Sequence, residues 1–283
     1  MMRFVVGGCV QLLLSAMVCG SIVVAQEARA VFAASGTSAK HEFLDQVMTR
    51  RRPVGGAELG ELLRLALLDN AASVRERALL AVAARAGGPR FVADLDTRTR
   101  WREDRPALKG LQPLLMAALR DPIADVRHAA VLAIGNLEYD MDQTGSRPTL
   151  GDDVLGALAA AYRNESNPRV RSEIIKGVAL SANDSDVVAE LLSQAFDDQQ
   201  PGVRQYAAVA AGRLKDPRWL DKLLLQLRTD GKEVRLASAF ALASYGSLAA
   251  GHLAELRSIR DAEADDAVRK AVGRVIGGLE RSR

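Results

Sequence analysis

Cysteine, histidine and aromatic residues are all scarce in this 283-residue chain. Its two cysteines, Cys9 and Cys19, fall within the first twenty residues, so the remainder can form neither a disulfide nor a thiolate metal site. Stability must come from packing. Aromatics make up 4% of the chain, against 48% hydrophobic residues in which alanine and leucine dominate. A sandwich or barrel would want β-branched and aromatic side chains, whereas this balance favours close-packed helices. The three histidines, His41, His128 and His252, lie too far apart in sequence for metal-ligand spacing. No nucleophile elbow, phosphate loop or dinucleotide fingerprint follows a strand pattern. No catalytic residue, cofactor site or metal site is therefore expected, and the chain reads as a non-enzyme.

Charge of one sign is also missing. The 38 basic and 35 acidic residues leave a formal +3, and the two signs alternate instead of gathering on one face, which argues against nucleic acid as a partner. The only long uncharged run, Phe4 to Ala25, follows Arg3 and centres on Leu12, Leu13 and Leu14. It resembles a secretory signal peptide, with small residues placed for cleavage after Ala25 or, alternatively, after Ala30. Removal would delete one of the 38 basic residues and no acidic one, leaving 37 against 35, a balance of +2. The expected address is secreted or periplasmic. The alternative is a membrane anchor formed by residues 4–25, since about 22 uncharged residues suffice to span a bilayer; the membrane would then be met only through the leader.

What the chain has in abundance is one dipeptide. Val74-Arg75, Val126-Arg127, Val170-Arg171, Val203-Arg204, Val234-Arg235 and Val268-Arg269 each open an alanine-rich apolar run. The last three spacings, 33, 31 and 34 residues, suit a helix pair with its two turns, so the chain reads as stacked hairpins. In register with the arginines, small residues recur at plus three, six and eight: Ala78, Ala81 and Ala83, then Ala130, Ala133 and Gly135, then Ala207, Ala210 and Gly212. Offsets of three and four are the helical period, so they form one stripe of a second helix that allows close approach. Leucines such as Leu62-Leu63, Leu114-Leu115, Leu155, Leu191-Leu192, Leu223-Leu224-Leu225 and Leu253 mark the first helices. One hairpin cannot bury both apolar faces; with about 1.5 to 3 kcal/mol at stake for each Leu, Ile or Val, neighbours must stack. Asp121-Pro122, Asn167-Pro168, Pro201-Gly202 and Asp216-Pro217 fall where helices must stop and restart.

The run Asp121-Pro122-Ile123-Ala124-Asp125-Val126-Arg127-His128-Ala129-Ala130-Val131-Leu132-Ala133-Ile134-Gly135 resembles the HEAT repeat, in the short form first associated with phycobilisome lyases. The resemblance covers about residues 56 to 281. It implies an all-α, right-handed α-solenoid of about six hairpins, also described as an armadillo-like superhelix. It further implies a structural ladder between neighbouring turns, in which Asp69, Asp121, Glu165, Asp198 and Glu263 pair with Arg75, Arg127, Arg171, Arg204, Arg235 and Arg269. The fifth copy departs from the pattern, with Thr229 at the acidic position beside Asp230.

The domain reading is a signal peptide over 1–25, possibly to 30, a partly helical lead-in over 26–55, and the repeats over 56–283. The first two dipeptide spacings, 52 and 44 residues, are too long for one hairpin and imply inserts at about 87–106 and 138–152. The first carries Trp101 and Arg102, residue types enriched at recognition hot spots. Asp140 and Asp142 in the second lack the further ligands of a calcium loop. Positions one, two and five after each arginine vary between copies and should line an inner face. His128, Lys176, Tyr206, Leu236, Phe240 and Arg274 among them, with Trp101 and Arg102, are the candidate protein-binding residues. The expected function is an exported scaffold or adaptor that binds a protein or peptide on its concave face. The alternatives are a catalytic or non-catalytic subunit of a lyase-like complex and a structural envelope protein.

Overall fold

The computed structural model describes residues 29–51, 54–86, 103–138, 150–180 and 185–281. Within them the regular structure is helical. After helical residues 29–34 come α1 (Thr37–Met48), α2 (Gly56–Leu67) and α3 (Ala72–Ala86). Helical residues 103–109 then precede α4 (Gln112–Ala118) and α5 (Ala124–Glu138). The chain continues through α6 (Asp152–Asn164), α7 (Pro168–Leu180), α8 (Asp186–Phe196) and α9 (Pro201–Leu214). A 3-10 turn over Pro217–Trp219 leads into α10 (Leu220–Thr229) and α11 (Lys232–Tyr245), and a second over Gly246–His252 leads into α12 (Leu253–Ala262) and α13 (Asp266–Arg281).

The arrangement is an all-α solenoid of paired helices. Each dipeptide arginine stands in the first turn of an odd-numbered helix from α3 to α13, and each of these second helices packs against the next. The six valines of the dipeptides are buried, as are the large residues seven places after each arginine, Val82, Ile134, Val178, Leu242 and Ile276, with Ala211 in the fourth copy. At about 1.5 to 3 kcal/mol per buried aliphatic side chain, this seam between second helices dominates the cohesion of the stack. The small-residue stripe lies inside it, with Ala78, Ala81, Ala130, Ala133, Ala207 and Ala210 fully covered. Gly212 shows why smallness is required: a Cβ there would sit 2.8 Å from Ala241 Cα, so α9 and α11 touch backbone to backbone. Gly135 of the same stripe faces open space instead.

The first helices bury their leucines beneath the second layer, including Leu62, Leu63, Leu115, Leu155, Leu192, Leu223 and Leu224, whereas Leu225 of the same run points outward and is 49% exposed. Three consecutive leucines cannot all face one side of a 3.6-residue helix. Trp219 adds an apolar plug that the repeat template does not contain, its ring stacked on Phe196 with centroids 5.4 Å apart.

Helix α1 lies against α3 as a further second helix would. The connection behind it is held by a buried ion pair: Arg85, 3% exposed, donates to Asp104, 1% exposed, from Nε at 2.9 Å and Nη2 at 2.7 Å. Arg85 also donates to the carbonyls of Val47 and Val54, and Asp104 accepts from the Gly56 amide. Every polar atom of the pair that burial strips of water thus has a protein partner, the condition under which such a pair is tolerated. It joins the end of α3 to helical residues 103–109, the two sides of the first long dipeptide spacing.

Candidate functional site

Two rows of side chains run along the stack, and their chemistry separates architecture from surface. The first row is the acid–arginine set. Arg75 donates to Asp121 from Nε at 2.8 Å and Nη2 at 3.1 Å, while its Nη1 donates back to the carbonyls of Asp69 and Asn70. Arg127 repeats this on Glu165, with Nη1 on the carbonyls of Asp121 and Pro122. Arg171 does so on Asp198, and Arg235 reaches Glu263 at 3.1 Å. Arg75, Arg127, Arg171 and Arg235 thus each hold the carboxylate of the following unit and at least one carbonyl of their own turn. Each acid also closes its own turn, accepting the amide two residues on: Ala71 to Asp69, Ile123 to Asp121, Asn167 to Glu165, Gln200 to Asp198 and Asp265 to Glu263.

Two features of this row escape the repeat template. The fifth turn is one residue shorter, so Asp230 in place of Thr229 receives Arg204 at 2.5 and 2.6 Å. And Lys40 of α1 donates to Asp69 at 2.7 Å, filling the position an arginine takes elsewhere. A lysine without the Val-Arg signature offered no register to align. At the far end Arg269 holds the Glu263 carbonyl and Asp266 of its own first turn.

Burial by itself would raise the Asp121 carboxyl, but the Arg75 hydrogen bond, the Ile123 amide and the nearby guanidinium charges hold it below the usual carboxylate range. The same balance lowers Asp69, Glu165, Asp198 and Asp230. Asp198 has an additional donor in the Tyr162 hydroxyl at 2.8 Å; burial and then that carboxylate push the phenol well above its ordinary range. With most of its donors engaged by carboxylates and turn carbonyls, this row is a set of hinges between units rather than an anion-binding strip.

The second row lies on the second helices, at the positions after each arginine. Its two halves differ. Toward the N-terminus it is ionic: Arg77 of α3 meets Asp45 of α1 at 2.7 Å, and His128 of α5 faces Glu173 of α7 at 3.9 Å, where Lys176 also donates at 3.0 Å. Ala129 at the same register is buried, and Leu132 is half-buried against the core.

Toward the C-terminus the row becomes apolar and opens. Between α9 and α11 lies a groove of about 440 Å³ whose walls include Gln205, Val209 and Arg213 on one side and Glu233, Leu236 and Phe240 on the other. Its floor is the Gly212–Ala241 contact. Phe240 is 53% exposed, and the Arg274 guanidinium of α13 lies 5.7 Å from its ring centroid, a cation–π distance. Tyr245 fixes the end of this helix pair: its hydroxyl is 3.1 Å from the Ala211 carbonyl and 2.9 Å from that of Asp216. Leu236, Phe240 and Arg274 are thus brought together at this groove, and His128 and Lys176 meet through Glu173. Tyr206 packs part-buried against the core outside the groove walls. Trp101 and Arg102, like the leader, lie outside the described residues. Among the described residues no set of three or more His, Cys, Asp and Glu side chains is placed to hold a metal, and no helix is long and apolar enough to cross a membrane.

Comparison with known proteins places these features in context. Residues 155–243 and 188–277 match the family described as HEAT repeats, and residues 111–138 match a single HEAT repeat. No curated protein matches the chain. Among solved structures, it is similar to two engineered proteins at 16% and 19% identity. Both have a TM-score of 0.54 and cover 79% of this chain and 97% or 98% of their own. A designed armadillo repeat protein in complex with the peptide (KR)4 is 18% identical, with a TM-score of 0.45 over 84% of this chain and 91% of its own.

Proposed function

The chain belongs to the HEAT-repeat proteins, and from that premise we propose that it is an exported, non-catalytic scaffold or adaptor that binds a protein or peptide on the concave face formed by its second helices. The observation that supports this reading is the groove between α9 and α11. A monomeric helical stack has every reason to cover a phenylalanine, yet Phe240 is left half in solvent beside Leu236, under an arginine, at the rim of a concave apolar surface. Export rests on the leader over residues 1–25, and the ionic contacts of the N-terminal half of the face supply the polar surroundings a recognition surface needs. The test is affinity capture from an envelope extract by the leader-free protein and by a Tyr206→Ala, Phe240→Ala double variant of equal helicity. Loss of a specific partner with the double variant supports the reading; equal capture by both proteins removes the concave-face assignment.

A further inference from the structure

No further inference is drawn: the strongest candidate, the apolar groove between α9 and α11 with Phe240 at its rim, belongs to the site already described, and nothing in the structure shows what covers it.

Discussion

Arg127 and Glu165 are 38 residues apart in sequence and are joined by two near-parallel hydrogen bonds of 2.6 and 2.8 Å. The carboxylate is 3% exposed and the guanidinium 17%, so the rung lies between a surface salt bridge, worth about 0 to 1 kcal/mol, and a buried one, whose rupture costs about 3 to 5 kcal/mol. Arg127→Ala strands Glu165 without its partner and should cost about 2 kcal/mol by urea unfolding. Arg127→Lys keeps the charge but loses the fork and the turn carbonyls, and should fall roughly midway. Equal stability of all three proteins would show that the rung contributes nothing.

Acid should weaken the stack through the same carboxylates. Asp69, Asp121, Glu165, Asp198 and Asp230 all titrate below their ordinary values of 3.8 for Asp and 4.5 for Glu. The folded state thus binds protons less readily than the unfolded one. Their contribution is complete above the unfolded values, from about pH 5 upward, and is lost as pH falls through the lower folded values. The urea midpoint measured from pH 7 to pH 2.5 should be flat and then drop, and Asp121→Asn should start lower and drop less. A midpoint that rises on acidification contradicts this assignment.

The buried pair behind α1 should behave differently from the rungs. Arg85→Met leaves Asp104, nearly without solvent, with only the more distant Arg50 at 3.4 Å as counter-charge, and a loss of about 3 kcal/mol is expected. The double change Arg85→Met, Asp104→Leu removes both charges and should recover part of that loss. Recovery stays incomplete because the carbonyls of Val47 and Val54 and the Gly56 amide lose their partners. A double-mutant cycle in denaturant measures the coupling, and additive single effects would contradict it.

Gly212→Ala tests the floor of the groove. The added methyl meets Ala241 Cα and Cβ at 2.8 and 2.9 Å, so α9 and α11 must separate, at a cost of about 1 to 3 kcal/mol. Gly135→Ala, which meets nothing within 4 Å, should be neutral or slightly stabilising. The contrast in melting temperature between the two variants is the measurement.

The repeat was legible because it is written in contiguous residues. The valine, arginine and small-residue offsets lie on one helix, and their period reads directly as a buried stripe. The fifth rung was harder to see because a turn one residue shorter moves the acid to Asp230 without moving its function. The Lys40 rung was hidden because a different residue type makes the same bond. On the candidate face, sequence offsets selected Leu236, Phe240 and Arg274, which do come together at the groove, but the same offsets selected Ala129, which is buried. Facing direction over one turn depends on how each helix crosses the next, and no single-helix pattern contains that angle. Arg85 and Asp104 gave no signal, since a buried pair bridging a long insertion has no fixed spacing.

Every rung points the same way along the chain, from a basic side chain to the carboxylate of the unit after it. That gives the two ends of the array unequal tolerance for shortening. Cutting a unit from the C-terminal side leaves behind an arginine still part-solvated and still bonded to its own turn carbonyls, as Arg269 is now. Cutting one from the N-terminal side leaves an acid such as Glu165 folded into its turn with its counter-charge gone, a desolvated carboxylate at a freshly made edge. Progressive deletion from the two sides should therefore yield soluble, folded fragments more readily when the blade comes from the C-terminal side.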